Sequence, residues 1–262
     1  MSSTMLQLVQ QVTNELGVTT PTSVAGNTNQ DVIQILALMN ASGYEFLRKH
    51  PWRTLTKQKQ FYTEYLTTTG TWSDNGTSIT GIPSTTGLDS TYMVVGTGID
   101  QNTFIETVDS GTSVTINRRT NEAQTGATVY FQKMKYAFPS DYEAIIPRTM
   151  WDKDKHWEML GPEDAQQWQW LKSGYISTGP RIRWRILGGT FQTWPPMNTS
   201  EYLGFEYRSN GWAISASGAV QQYFMADTDT TLFDDRLMVL YTKLKYFQVK
   251  SFDTTALTQD YM

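Results

Sequence analysis

Residues 43–55, GYEFLRKHPWRTL, decide where the chain changes from helix to sheet. A helical apolar stripe enters this segment, and a strand-like alternation follows it. Because proline disfavours helical geometry in the residue before it, Pro51 is predicted to end the helix at His50. Trp52 would then place a large apolar ring under the bend. We interpret His50, Pro51 and Trp52 as a structural corner; a catalytic role for His50 is the alternative, with Glu45 as its local carboxylate.

Two amphipathic helices are predicted before this corner. Between Met5 and Leu16 the apolar residues recur at spacings of three and four, the pattern of one buried helix face. A second stripe runs from Val32 to Leu47, and Asn29 can cap the start of that helix because its side chain accepts a main-chain N–H. The chain is therefore predicted to open with an antiparallel pair of helices.

Residues 70–138 are dense in glycine and threonine and predict a small inserted β-module. Turn signals such as Asp109-Ser110-Gly111 separate short runs that are rich in β-branched residues. These runs are residues 92–95, 103–108, 113–117 and 128–132.

Helical and strand-like patterns alternate after this module. A helix is predicted after Pro162, because a proline followed by acidic residues favours the first helical turn. Strand-like runs follow at residues 181–187, 190–194 and 202–207, and a last helix is predicted from about residue 234 to residue 252.

These patterns predict an α+β fold. Its main part would be a helical bundle, made of the N-terminal hairpin, the middle helix and the C-terminal helix, with a β-sheet part and the inserted β-module. The predicted helical part comprises residues 1–51, 139–178 and 227–262. The β-sheet part comprises residues 52–69 and 179–226, and the β-module comprises residues 70–138.

The composition favours surfaces that partners cover. Charged residues make up 18% of the chain, below the roughly 25% of typical soluble domains, and aromatic residues reach 13%. Tyrosine and tryptophan are enriched at protein interfaces, where lysine and glutamate are depleted. The same composition also suits a sugar-binding protein.

Several functional classes are disfavoured by the sequence. The net charge is −4 and no basic block is present, which argues against tight wrapping of nucleic acid. There is no cysteine for a disulfide or a thiolate metal site. The N-terminus lacks the features of a signal peptide, and no apolar run is long enough to cross a membrane. We find no nucleotide-binding, serine-hydrolase or zinc-protease motif, so no enzyme and no cofactor are expected, although a pair of glycosidase carboxylates stays open.

A run of acidic residues and one histidine is the main candidate for a metal site. Asp152, Asp154, His156 and Glu158 stand two apart in WDKDKHWEM, and on a strand they would share a face. The interleaved lysines and flanking tryptophans favour a solvated linker before a helix instead, so no metal is predicted.

Three arginines form the main cationic pattern. Arg181, Arg183 and Arg185 alternate with apolar residues, so on a strand they would share one face. They are predicted to pair with carboxylates across the sheet, for example Glu201 or Glu206, or with a neighbouring subunit. Phosphate contact is the alternative.

The order of several segments resembles the head-to-tail adaptor of short-tailed bacteriophages, the ring-forming connector of the tail tubular A type. The segments are residues 29–55, 138–152, 160–174, 183–196, 202–213 and 232–250. Residues 81–116 look like a small β-module that is found in many phage virion proteins. Together they cover most of the chain from residue 31 to residue 250.

The resemblance implies a structural role at the head–tail junction of a virion assembled in the host cytoplasm. Twelve copies would form a ring that contacts the portal protein and the tail nozzle protein, with tail fibres as a further candidate partner. Double-stranded DNA would pass through the ring without sequence-specific binding. No membrane contact is implied. Twelve copies at −4 each carry −48, which would let DNA slide through a negative bore.

The residues proposed for interfaces combine the arginine row with the C-terminal helix and arm. They are Arg181, Arg183, Arg185, Tyr241, Lys245, Phe252 and Tyr261. Other tail proteins, such as a nozzle component or a fibre base, and carbohydrate- or receptor-binding modules remain alternatives.

Overall fold

The fold is mainly β, and the expectation of a helical bundle is wrong. The structure, a computed structural model, describes residues 3–173, 179 and 181–261; the domain boundary predicted at residue 178 lies outside these residues. Strands account for 34% of the chain and helices for 25%. Many of the strands have only two to four residues, which is too short for an alternating apolar pattern to identify them.

The helices begin and end with conventional caps. Thr4 and Gln7 form a capping box before the first helix, and Gly17, in the left-handed conformation, ends it. Asp234 caps the fourth helix through a hydrogen bond from the N–H of Leu237. The helices are α1 (Met5–Leu16), α2 (Gln30–Lys49), α3 (Ala165–Leu171), α4 (Asp235–Val249) and α5 (Thr255–Tyr261), with a 3-10 turn at Arg53–Leu55.

The strands are distributed along the whole chain. They are β1 (Thr56–Tyr62), β2 (Tyr65–Trp72), β3 (Ser78–Ile79), β4 (Tyr92–Gly96), β5 (Ile99–Ser110), β6 (Ser113–Ile116), β7 (Gln124–Lys133), β8 (Lys135–Ala137), β9 (Tyr142–Ile145), β10 (Trp151–Asp152), β11 (Trp157–Glu158), β12 (Arg183–Leu187), β13 (Thr190–Trp194), β14 (Tyr202–Ser209), β15 (Ala213–Ile214), β16 (Val220–Gln221) and β17 (Thr230–Thr231).

The chain divides into two compact units. The first unit contains Met1–Lys57, Ser140–Ile145 and Tyr207–Met262, and the second contains Gln58–Pro139 and Ile146–Glu206. Each unit has a hydrophobic core of its own.

The first unit is organised around α4, which packs against both α1 and α2. Aromatic side chains fill the space between the helices, and the buried ring of Trp212 stacks 6.0 Å from that of Phe233. β15 pairs with β16 on one side and β17 on the other. A β-bridge between Thr4 and Thr230 joins the start of the chain to this sheet.

The second unit contains a nearly closed six-stranded sheet in the order β2-β7-β4-β5-β6-β3. A bridge between Thr71 and Thr80 brings the end of β3 back to β2, so few main-chain groups are left at the sheet edges. Its interior is apolar and includes Ile79, Val129 and Phe131.

Two smaller sheets complete the second unit. One has the order β12-β13-β8, and in the other β14 lies between β1 and β10, with β11 beyond. Aromatic residues from both sheets pack together, with the Phe191 ring 5.0 Å from that of Phe205 and 5.5 Å from that of Trp184. On the opposite face of β13, Trp194 packs with Trp168 and Leu171 of α3. The face of the β12-β13-β8 sheet that carries Trp194 therefore packs against α3, and the β12 side chains on that face point toward the helix.

Candidate interaction surfaces

The 43–55 segment forms a bend that aromatic rings pack against. α2 ends at Lys49, and His50 is extended. The indole N–H of Trp52 donates to the carbonyl of Phe46 at 2.7 Å, and the rings of His50 and Trp52 lie 5.1 Å apart. His50 and Pro51 are exposed, whereas Trp52 packs on the hydrophobic core of the first unit.

A polar cavity of about 170 Å³ lies beside this bend. His50 lines it together with Arg48, Glu143, Arg208 and Ser209. The Ser209 hydroxyl donates to Asp141 at 2.8 Å, not to His50. The cavity therefore does not pair the histidine with an activated serine of the kind that nucleophilic catalysis needs.

The acidic run at residues 152–158 forms a tight hairpin, not a linker before a helix. Asp152 is buried, and its Oδ1 accepts the N–H groups of Asp154 and Lys155, both at 3.1 Å. Burial raises the pKa of Asp152 and neighbouring Glu201 adds to this, against the two main-chain hydrogen bonds. Among the described residues, no group of three His, Asp or Glu side chains could hold a metal ion.

Arg183 and Arg185 lie on β12, and their partners differ from the carboxylates predicted across the sheet. Arg183 forms an ion pair with Glu163 at 2.6 Å, and Arg185 donates to the main-chain carbonyl of Asp164 at 2.9 Å. Both partners come from the loop before α3, because that loop runs beside β12 through the bridge between Leu160 and Arg183. Among the described residues, neither Arg183 nor Arg185 pairs with Glu201 or Glu206 across the sheet.

The two carboxylates expected opposite the arginines are placed elsewhere. Glu201 forms an ion pair with Lys155, and the main chain of Glu206 bonds Thr149 and Ile146. Arg181 precedes β12 and is exposed.

Tyr241 and Lys245 belong to a network inside the first unit. Tyr241 is buried on α4, and its hydroxyl donates to Glu45, which also forms an ion pair with Lys245. Lys49 donates to the Tyr241 hydroxyl at 2.6 Å. Burial alone would raise the pKa of Glu45, but the hydrogen bonds from Lys245 and Tyr241 outweigh it and lower that pKa. These two side chains hold α4 against α2.

The C-terminal candidates are placed differently. Phe252 is 57% exposed, and the centre of its ring lies 5.5 Å from that of Phe247, with the two rings nearly perpendicular. Tyr261 is the last residue of α5, and its side chain lies outside the described residues.

Large apolar side chains are exposed on both units, and most of them were not singled out by sequence reasoning. On the first unit they are Ile33, Tyr44, Tyr223, Met225, Val249 and Phe252; on the second they are Tyr62, Tyr65, Val108, Trp151, Trp157, Trp170, Ile186 and Leu187. Three of the nine tryptophans are in this set. Tryptophan and tyrosine, which make up half of this set, are enriched among the side chains that dominate binding at protein interfaces.

An aromatic and polar surface lies around the 152–158 hairpin. A cavity of about 410 Å³ is lined by Trp151, Asp152, Lys153 and His156. Near it, the rings of Tyr62 and Tyr202 lie 4.7 Å apart, and the Lys153 ammonium is 5.6 Å from the Tyr202 ring. Flat rings beside hydrogen-bonding groups can bind a sugar as well as a protein.

Comparison of the sequence with models of protein families gives no match, and comparison with curated proteins gives no significant match either. Within the part of the chain that the structure describes, no helix combines the length and apolar character that crossing a membrane requires.

Proposed function

We propose that this chain is a structural virion protein, a head-to-tail adaptor whose copies form a ring between the portal vertex and the tail of a short-tailed bacteriophage. The order of the sequence segments that resemble such adaptors is the starting point. The observation that carries the proposal is the number of large apolar side chains exposed on both units, among them Trp170 at 53% and Phe252 at 57%. Surfaces of this kind gain free energy when a neighbouring subunit covers them.

In this role the chain binds proteins and performs no reaction. Twelve copies contact one another, the portal protein above and the tail nozzle protein below, with tail fibres as possible further partners. DNA passes through the ring without sequence-specific contacts. The protein acts at the head–tail junction after its synthesis in the host cytoplasm.

The end of α4 is the part of the first unit that we assign to the portal. Val249 and Phe252 are both exposed there, and α5 follows directly. Val249 is the last residue of α4, and Phe252 follows three residues later in the segment before α5. Two exposed apolar side chains this close in the chain can contribute to the centre of an interface.

The test is to mix the purified chain with its cognate portal ring and image the mixture by electron microscopy. A second ring of twelve-fold density stacked on the portal is expected. The double variant Val249→Ser/Phe252→Ser should lose this density while keeping the fold of the monomer. Met225→Ser, which alters an equally exposed side chain of the same unit outside α4 and α5, is the matched control. A chain that stays monomeric beside an intact portal ring would contradict the proposal.

A second candidate function, binding of a carbohydrate or a receptor, is favoured by the cavity at Trp151 and the Tyr62–Tyr202 ring pair. It predicts binding in a glycan screen that Trp151→Ala abolishes. Trp170→Ala removes a comparably exposed indole elsewhere in the unit and should leave that binding unchanged.

A further inference from the structure

Three positively charged side chains of the second unit gather on one face of the β12-β13-β8 sheet. The strand register places Arg185 opposite Gln192, and Gln192 opposite Lys135. Residues paired in this way point to the same side of a sheet. Because neighbouring strands are about 4.8 Å apart, the main chains of Arg185 and Lys135 are about 10 Å apart, with a neutral amide between them.

Helix α3 brings the third positive charge to this face. Trp168 and Leu171 of α3 pack with Trp194, which shares the face of Gln192 two residues before it on β13. Lys172 follows Leu171 directly and is the C-cap of the helix. The ammonium groups of Lys172 and Lys135 lie 5.9 and 4.6 Å from the centre of one ring, that of Phe104.

No carboxylate balances these charges within the part of the chain that the structure describes. Lys135 donates to the carbonyl of Ser90 at 3.1 Å, Arg185 donates to the carbonyl of Asp164, and neither they nor Lys172 has a carboxylate within ion-pair distance there. Neighbouring Arg183 differs, because Glu163 neutralises it.

Lys135, Lys172 and Arg185 are only partly exposed, so water screens the repulsion between their charges incompletely. All of them are half-buried. Burial lowers the pKa of the Lys172 ammonium, and the charges of Lys135 and Arg185 lower it further. Three like charges held this close without a counter-charge destabilise one another unless an anion joins them.

We propose that Lys135, Lys172 and Arg185 form a binding site for a phosphate-class oxyanion, either free phosphate or a phosphomonoester. A dianion would offset most of the local charge. The planar guanidinium of Arg185 can donate two parallel hydrogen bonds to its oxygens, and each lysine adds a charged donor. Gln192 is held in the middle of the row, where its amide N–H groups donate to the carbonyl of Leu187 and the hydroxyl of Thr190. The three charges lie close together, so the cluster can bind one anionic group. A nucleic-acid backbone would need a longer row of positive charges.

Calorimetric titration of the full chain with inorganic phosphate, at constant ionic strength set with sodium chloride, tests this site. One phosphate per chain is expected to bind, and Lys172→Met or Arg185→Gln should weaken binding at least tenfold. Lys153→Met is the matched control, because Lys153 is also half-buried over an aromatic ring of the same unit but outside this cluster. It should bind phosphate like the wild type.

Thermal unfolding separates the site from a general loss of folding. In chloride, Lys172→Met should unfold at a higher temperature than the wild type because it removes like-charge repulsion, and phosphate should no longer raise that temperature. Phenyl phosphate serves as a second probe. If it binds, the site accepts a phosphate group that is attached to a larger molecule. If only inorganic phosphate binds, the site is specific for the free ion. Phosphate that binds no better than chloride, or equal weakening by Lys172→Met and Lys153→Met, would overturn the proposal.

Discussion

The main chain of Gly43, within α2, lies directly against the buried indole of Trp212. A β-carbon at residue 43 would be 2.3 Å from two carbon atoms of that ring, a distance that no packed side chain tolerates. Trp212 is completely buried and also packs on Phe224 and Phe233. The ring therefore cannot move aside cheaply, and the absence of a side chain at Gly43 sets how closely the helix approaches the core.

Gly43→Ala should therefore destabilise the protein, although an exchange of glycine for alanine inside a helix usually stabilises by about 0.5–1 kcal/mol. We expect a loss of about 3 kcal/mol in the free energy of unfolding, since overpacking must displace the indole. Urea unfolding measures this. Gly111→Ala is the control, because a β-carbon at that turn would meet no atom within 4 Å. A stabilised Gly43→Ala variant would show that the contact is not tight.

Asp141 should contribute stability that depends on pH. Its carboxylate accepts hydrogen bonds from Lys57 at 2.6 Å, Ser209 at 2.8 Å and Tyr207 at 2.9 Å. Burial alone would raise the pKa of Asp141, but these three bonds outweigh it and lower that pKa below its usual value. Asp141→Asn should cost about 2 kcal/mol at pH 7, since it removes the charge that all three donors share.

The sign of the pH effect follows from the lowered pKa. The folded state binds the proton less tightly than the unfolded state, so the contribution of Asp141 is complete above the unfolded pKa of about 3.9 and is lost as the pH falls through the folded pKa. The stability difference between the wild type and Asp141→Asn should be constant above about pH 5 and shrink toward pH 3. Exposed Asp74, changed to Asn, is the control at pH 7 and should change stability by less than about 0.5 kcal/mol. A stability difference between the wild type and Asp141→Asn that stays constant down to pH 3 would contradict the link between this difference and the ionisation of Asp141.

At the corner after α2, Trp52 and His50 should respond differently to truncation. Trp52→Ala removes a ring that packs on Phe46 and Phe233 and a hydrogen bond to the main chain, so a loss of about 2–3 kcal/mol is expected. His50→Ala alters an exposed side chain and should change stability by less than about 0.5 kcal/mol. Thermal unfolding of both variants decides this. Equal losses of stability in the two variants would show that His50 stabilises the corner as much as Trp52 does, contrary to this prediction.

The Glu163–Arg183 pair should be strongly coupled. The side chains are only 10% and 21% exposed, so Glu163→Gln leaves a partly buried guanidinium without its counter-charge and should cost about 3 kcal/mol. Adding Arg183→Met should recover at least about 1 kcal/mol of that loss in a double-mutant cycle. The exposed Arg118–Asp100 pair is the control, and Asp100→Asn should cost less than about 1 kcal/mol. Additive losses at Glu163 and Arg183 would indicate that they act independently.

The longer elements of the fold could be predicted from the sequence because each carries a periodic pattern. The stripe from Met5 to Leu16 coincides with α1, the helix that Asn29 caps is α2, and the run at 190–194 is β13. These patterns are local: an amphipathic helix must bury one face whatever it packs against. The same patterns overstated the helical share, because the helices carry a periodic pattern and the two-residue strands β10, β11, β16 and β17 are too short to carry one.

Partners of single side chains could not be predicted in the same way. The alternation of Arg183 and Arg185 was enough to place them on one face of a strand, but Glu163 approaches from a loop about twenty residues earlier, which no local pattern indicates. The interior position of Tyr241 likewise depends on Glu45 and Lys49, nearly two hundred residues away. The cluster of Lys135, Lys172 and Arg185 brings together three segments of the second unit, so only the assembled sheet reveals it.

The first unit takes its helices from both ends of the chain, and this constrains the order in which the protein can fold during synthesis. α1 and α2 emerge from the ribosome early, but α4, against which both pack, begins slightly more than two hundred residues after α2 begins. All of Gln58–Glu206, which holds the second unit, is translated in between. The second unit can therefore fold while the apolar stripes of α1 and α2 are still uncovered. A chain interrupted before α4 would hold a folded second unit and two helices without their main packing partner, so the first unit forms only after α4 has been translated.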